Sequence, residues 1–470
     1  MNGEAAPGKP NLQKYAFHIA CLAVIAGYFL IFPVYRGFFL LENGVNESWN
    51  AYLQDRAFGG GPLYPPVTDL FANNYPPLSF YVIGGIASWA GDALFVGRAL
   101  SLVATLGLGF IVAILVKQFH AGWPAAALAG VWFVATMAGP FDQSIVTDDP
   151  QLFGQFLMGC ALVWFVHRDG RGASADGPIL LMVLAGFWKH NIIGIPATVV
   201  IWLVLRDRWH ALRPLLVGVG GVIFGFAICF IAYGDVFFAN LLAPRAYGLW
   251  RLPTALGRLQ FGAPALFICA IWVWRERQTA RARFIALFIL VALAAHFVQW
   301  SGAGIGNGSQ IDLIIAVSVG LGLAYDRASA IDPVKRWSSE LIRSVIVAIL
   351  ALRIVLTGHI ESGLLLTSAN YRRAFSDHAA ITQSEALRVR GIPGLVACSN
   401  ELVCRVAGKS LVLDDFKVGQ LLLTGQLTPN GLSELLKIRG ITFVQNDPRA
   451  NAESVRRDWI AKVFRGEQWD

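Results

Sequence analysis

Charged side chains are scarce in this chain. Lysine, arginine, aspartate and glutamate make up 14% of its 470 residues, and 56% of the residues are hydrophobic. Soluble domains carry about 25% charged residues, so the shortage excludes an ordinary water-soluble enzyme. The apolar runs that recur from Ala16 to about Val355 read instead as membrane spans. Lipid offers the backbone no hydrogen bonds, so these runs should be helices. The alternating ten-residue pattern of a membrane barrel is missing. Cysteine is also sparse, with six residues in all. Cys21, Cys160, Cys229 and Cys269 fall in or beside apolar runs, Cys398 and Cys404 lie close together in a polar tail, and no spacing is that of a metal site. The Gly-rich stretch Ser301 to Gly308 follows no strand and has no nucleotide-loop meaning. An internal or inverted repeat is absent too, which speaks against many secondary-transporter folds. No small-residue cleavage site follows the first apolar run, so it reads as a retained helix with Met1 to Lys14 still attached.

What is present in excess is positive charge, a formal +8. The basic residues sit in short loops between apolar runs, at Lys9/Lys14, Lys117, Arg168/Arg171, Arg206/Arg208/Arg213, Arg275/Arg277/Arg281/Arg283 and Arg327/Lys335/Arg336. This is the positive-inside pattern, not a nucleic-acid footprint, and no nucleic-acid partner is expected. With those clusters inside, a first helix at about 16 to 38 runs outward and the loop at about 39 to 97 lies outside. Pro77 to Gly91, at about fifteen residues, is too short to span and reads as juxtamembrane or re-entrant. Helices are expected at about 98 to 117, 123 to 143, 177 to 188, 192 to 205, 214 to 233, 262 to 274, 284 to 300, 311 to 325 and 341 to 357. The total is roughly eleven. The expected fold is therefore an all-α polytopic membrane protein, with a catalytic membrane part over 1–357. Beyond Thr357 the composition turns polar, with short apolar stretches at Leu411 and Ile441 and helix-like segments at Gly431 to Arg439 and Ala452 to Phe464. A small α/β domain over 358–470, on the outer side, is expected. There Cys398 and Cys404 could form a disulfide or remain two reduced thiols.

The first outer loop holds the candidate chemistry. A chain that only had to cross the bilayer would turn quickly; this one spends roughly 35 residues, longer than an ordinary connection, on Leu41 to Pro77. Glu42, Glu47 and Asp55 lie in that Gly- and Pro-punctuated stretch. A partly buried carboxylate there could act as general base on a hydroxyl, with Glu47 best placed because it precedes the helical turn Trp49 to Tyr52; a solvated charge or helix cap is the alternative. Thr147 to Pro150 offers Asp148 and Asp149 on the same side, although Asp before Pro is also ordinary helix-start chemistry. Lys189 interrupts an apolar stretch and could grip a phosphate or snorkel to the surface. Arg245, Arg251 and Arg258 stand in an outer loop with Tyr247 and Trp250, which suits a lipid phosphate headgroup or an interfacial helix. Asn307 follows the Gly-rich outer turn and could contact a ligand. A divalent cation could sit between the acidic clusters, although no ligand spacing demands one.

In order and sidedness these motifs resemble the GT-C superfamily of polytopic glycosyltransferases that use polyprenyl-phosphate sugars. The resemblance is to bacterial members similar to protein mannosyltransferases (glycosyltransferase family 39), aminoarabinose transferases and rhizobial galacturonosyltransferases. The segment Asn46 to Tyr52 stands where the family has an acidic pair and an aromatic, Ala-rich turn, with Asn46 in place of the first acid. Tyr75 to Leu78 looks like the family's Pro-Pro-Leu segment, Gly97-Arg98 like its next helix start, Asp149-Pro150 like its second acidic position, Trp188-Lys189 like its phosphate-binding lysine, and Asn307 like its asparagine after the outer turn.

The resemblance implies inverting transfer of a sugar from a polyprenyl-phosphate donor to a hydroxyl of a lipid, glycan or protein acceptor. The reaction would occur at the periplasmic face of a bacterial inner membrane, in envelope, lipopolysaccharide or glycan modification. Glu47 would be the base, with Asp149 and Asp148 beside it. Lys189, Arg98, Arg245 and Arg251 would meet the donor phosphate, and Glu42, Asn50, Tyr52, Asn74, Tyr75, His190 and Asn307 would bind substrate. A helix break near Lys189 could leave a groove for the lipid tail. The alternatives are a lipid or solute transporter or flippase, an oligosaccharide ligase, and a non-catalytic relative.

Overall fold

The computed structural model describes residues 12–44, 46–330 and 337–455. Lys9, Lys335, Arg336 and the part of the expected Ala452 to Phe464 helix beyond residue 455 lie outside them. The chain is predominantly helical, and it is a membrane protein by the length and hydropathy of its helices. α1 (Leu12–Arg36) leads to the first loop, which holds α2 (Glu47–Asp55) and α3 (Leu78–Ala90). There follow α4 (Ala93–Gln118), α5 (Trp123–Ala138), α6 (Gln151–Asp169), α7 (Asp176–Trp188), α8 (Gly194–Arg206) and α9 (Arg208–Tyr233). Two short helices, α10 (Asp235–Leu241) and α11 (Leu252–Arg258), precede α12 (Ala263–Glu276), α13 (Ala280–Trp300), α14 (Ile311–Asp326) and α15 (Ser339–Thr357).

Capping residues mark many of the starts. Asp92, Asp207, Thr279 and Ser338 each accept a hydrogen bond from the first turn of α4, α9, α13 and α15, which satisfies amides that have no partner within the helix. Among the described residues five helices are long and apolar enough to cross a membrane: α1, α4, α9, α13, and α14 with its preceding turn. The number is up to seven if two bent pairs, one broken by 80° before α12 and one by 74° after α15, each count as a span. Helices α3, α5, α7 and α8 are apolar but shorter.

α14 is buried on every side from Ile311 to Tyr325 and forms the axis of the bundle. A helix apolar all round belongs there. α4 and α5 pack so closely that a Cβ on Gly130 would lie 2.4 Å from the Gly109 carbonyl oxygen, the small-residue contact that membrane helices use in place of a hydrophobic driving force. α9 presents exposed Val219, Ile223, Phe224 and Ile231, the surface expected to face lipid.

Beyond Thr357 come α16 (Glu361–Thr367), α17 (Ala369–Arg390), β1 (Leu395–Cys398), α18 (Glu401–Val406), α19 (Asp415–Leu423), α20 (Pro429–Ile438) and β2 (Ile441–Val444). The two strands pair in parallel, Leu395 opposite Ile441, and a disulfide joins Cys398 to Cys404. This segment shares its cores with the rest of the chain. Leu365, Tyr371 and Phe375 pack with Phe32 and Leu41, and Leu413 and Val418 with Leu70. Arg405 bonds Asp55 at 2.8 Å and Asp92 at 2.9 Å, fastening α18 to the first loop. Asp55 is therefore engaged in an interface.

Candidate active site

A cavity of about 310 Å³ opens where α1, α5, α7 and α13 end and α2, α6, α8 and α14 begin. The opposite ends of α4, α6, α8 and α12 carry Lys117, Arg168, Arg206 and Arg275, so the cavity lies at the end of the bundle away from the basic loops.

One buried ion pair organises its floor. Glu47, at the first position of α2, turns inward and is fully buried. Its Oε1 accepts from Arg98 Nε at 2.9 Å and the Asp148 N–H at 2.8 Å, and its Oε2 from Arg98 Nη2 at 2.7 Å and the Asn43 N–H at 2.6 Å. Arg98, on α4, also donates to the carbonyls of Gly37, Phe39 and Leu41. The pair thus ties together the exit of α1, the first loop, α4 and the loop before α6. No lone pair of Glu47 faces the cavity, and neither Glu47 nor Arg98 lines it. Glu47 and Arg98, expected as base and phosphate contact, are bonded to each other and stand outside the cavity lining.

Neighbouring carboxylates part ways for the same reason. Asp148 is buried, its carbonyl accepting from Asn50 Nδ2 at 2.8 Å and its Oδ1 from Gln54 Nε2 at 2.9 Å. Burial pushes its carboxyl well above the usual range, and it does not reach the cavity. Asp149 does. Three residues earlier, Val146 has φ 52, a left-handed conformation that is a true outlier for a β-branched residue and costs on the order of 1–3 kcal/mol. The strained turn lies directly before the two aspartates that point opposite ways.

Asp149 Oδ1 accepts from Lys189 Nζ at 2.5 Å and from the Gln151 N–H at 2.7 Å. Its Oδ2 has no protein donor among the described residues. Lys189 ends α7, and its ammonium lies 4.8 Å from the Tyr75 ring centre. Burial would lower this ammonium, but Asp149 and Tyr75 outweigh it and hold it above its ordinary value. His190 follows, pushed down to about 4 by burial and by the charges of Lys189 and Arg245, so it is neutral at physiological pH. Trp49 packs edge-on to Tyr75 and donates Nε1–H to the Ala72 carbonyl at 3.2 Å, which holds the Tyr75 wall in place.

The cavity receives Asp149, Lys189, Arg245, Asn74, Tyr75, His190 and Asn307 of the residues expected from sequence, with Asn46 at its rim. It does not receive the others. Glu42 is buried and pushed up to about 7, chiefly by that burial. Asn50 is consumed by Asp148, and Tyr52 gives its hydroxyl to the Lys409 carbonyl at 3.0 Å. Arg251 lies outside against Trp250 and the Trp300 carbonyl. Sequence reasoning missed Gln151, Asn191 and Gln299, which are unremarkable amides in sequence, and Asp414, Phe416 and Lys417, which come from the tail. The Asp-Asp-Phe-Lys run at 414–417 was the available signal: its Asp414 caps α19, accepting from the Phe416 N–H at 2.8 Å, and lines the cavity opposite the membrane helices. Among the described residues no three His, Cys, Asp or Glu side chains converge as metal ligands.

A second, apolar cavity of about 460 Å³ lies between α6, α7, α8 and α9, lined by Met158, Ile179, Met182, Phe187 and Val222. His190 borders both cavities.

No described protein family and no curated protein matches the chain in sequence. Solved structures do match in shape. ArnT from Cupriavidus metallidurans superimposes at TM-score 0.60 in its apo state, over 96% of this chain and 94% of that one, at 13% identity. The same protein bound to undecaprenyl phosphate superimposes at 0.58, over 96% and 95%, also at 13% identity. The archaeal oligosaccharyltransferase AglB from Archaeoglobus fulgidus, in complex with an inhibitory peptide and a dolichol-phosphate, superimposes at 0.56, over 92% of this chain and 69% of that one, at 11% identity. The chain shares its fold with these two proteins.

Proposed function

We propose that this protein is a membrane glycosyltransferase that moves one sugar from a polyprenyl-phosphate donor to an acceptor hydroxyl, at the outer face of a bacterial inner membrane. The observation that carries the reading is the junction at His190. A polar cavity containing a lysine–aspartate pair meets an apolar cavity there, between helices that face lipid. A polyprenyl tail suits the apolar cavity and its phosphate the junction. At about 310 Å³ the polar cavity is near the lower end of the 300–1,000 Å³ typical of ligand pockets, which favours one sugar over an oligosaccharide.

In this reading Lys189 and Arg245 stabilise the charge that grows on the departing lipid phosphate. Asp149, paired with Lys189, accepts the acceptor hydroxyl's proton through its open Oδ2. The new bond forms at the anomeric carbon as the bond to the phosphate oxygen breaks, with inversion. The basic loops at the far ends of the helices support placing the cavity outside. Incubating the purified protein with polyprenyl-phosphate sugars and a bacterial envelope extract tests the proposal. Release of free lipid phosphate together with sugar bound covalently to an acceptor supports it. Uptake of unaltered substrate into vesicles, with no release, would make the protein a transporter.

A further inference from the structure

We infer that the donor sugar is uncharged: a hydroxyl-rich hexose or pentose, not an amino sugar or a uronate. This rests on the transferase reading and names the substrate class for that cavity. A buried charge without a partner is costly, so a site for a charged sugar needs a counter-charge with nothing else bound to it.

The cavity keeps almost none in reserve. Asp149 is neutralised by Lys189. Asp414 accepts from the Phe416 N–H and is itself buried, which pushes its carboxyl up to about 7, so near neutral pH it offers an ammonium only part of a charge. Lys417, also buried, donates to the carbonyls of Val67 and Phe71 at 3.0 and 3.1 Å. Only Arg245 has terminal nitrogens without a protein acceptor among the described residues; its Nε donates to the Ala303 carbonyl at 2.8 Å and its guanidinium stands 5.4 Å from the Phe416 ring centre. Arg245 and Lys189 both bear electrostatically on Tyr75 and His190, the end of the cavity shared with the apolar one. Both cations are therefore where the lipid phosphate must sit.

What remains for the sugar is carboxamides. The side chains of Asn46, Asn74, Gln143, Gln151 and Asn307 line the cavity and make no hydrogen bond to the protein among the described residues. A carboxamide offers donors and an acceptor together, matching a hydroxyl, which is also both. Asn46 occupies the cap position of α2 without capping it, so its amide is open to a ligand.

The test uses the full-length protein in lipid nanodiscs with three donors that share one polyprenyl phosphate and carry a neutral hexose, a hexuronic acid and an aminopentose. An envelope extract serves as acceptor. Release of lipid phosphate from the neutral donor should exceed release from either charged one by at least about tenfold in kcat/KM, the discrimination worth about 1.4 kcal/mol. Asn46→Asp, which adds an unpaired carboxylate, should shift the ratio toward the aminopentose by a similar factor. A wild-type preference for a charged donor overturns the inference and leaves the transferase reading standing. Release from no donor overturns the transferase reading and the inference with it.

Discussion

Replacing Glu47 by glutamine should weaken the fold without removing the catalytic base. The substitution keeps the shape and deletes the charge, so Arg98, which is 1% exposed, loses the only carboxylate bonded to it among the described residues. Removing one member of a buried pair costs about 3–5 kcal/mol. Three backbone carbonyls still accept from Arg98, which puts the expected loss near the lower end, about 3 kcal/mol. At roughly 2 °C per kcal/mol, the figure for large chains, the midpoint of thermal inactivation should drop by about 6 °C. The assay is the fraction of detergent-solubilised protein that stays monodisperse after heating, read beside transfer measured in the cold. Transfer per folded molecule should fall by less than about tenfold, whereas loss of a general base costs about 10²–10⁴-fold. An unchanged midpoint with transfer abolished would refute the reasoning and return Glu47 to the chemistry.

Asp149→Asn should do the reverse, lowering kcat by about 10²-fold or more with the protein folded, because its free oxygen is open to the cavity; near-normal turnover would remove it as the base. Lys189→Ala should weaken use of the lipid donor most, seen as a loss in kcat/KM for donor with the acceptor dependence little changed. Glu42 predicts a pH effect on stability. Burial pushes its carboxyl up to about 7, against about 4.3 for an exposed glutamate. Between those values the folded state holds a proton the unfolded state has released, so the stability this group contributes is present below about 4.3 and lost as the pH rises through 7. Thermal midpoints should therefore be higher at acidic than at alkaline pH, and Glu42→Gln should flatten that slope and raise the alkaline midpoint; an unchanged slope would discount the group. Arg405→Ala should release the contact of α18 with Asp55 and Asp92, detected as faster limited proteolysis of the segment beyond Thr357.

Much of the helical pattern was legible because lipid leaves the backbone no other choice. The apolar runs expected at 98 to 117, 177 to 188 and 284 to 300 correspond to α4, α7 and α13 within a few residues. The short Pro77 to Gly91 run and the break at Lys189 were also readable, from length and from polar residues where a continuous span would not have them. Less legible were α10 and α11, which lie in an outer loop whose polar and aromatic mixture has no clear period. The tail reads as a small α/β domain in sequence, but its contribution to the cavity through Asp414, Phe416 and Lys417 depends on contacts more than 300 positions distant along the chain, such as Lys417 with Phe71.

The sequence by itself determined that the chain is a helical membrane protein, where its apolar runs break, and which few carboxylates and cations stand at those breaks, since burial in lipid makes charge expensive enough to be informative wherever it occurs. Which of those charges faces a substrate was decided only by tertiary structure. Arg98, 51 positions from Glu47, takes that carboxylate out of the cavity, while Lys189, 40 positions from Asp149, holds the other one in it. Two glutamates and two aspartates that look alike in sequence differ because a carboxylate's role is set by the partner that the fold brings to it.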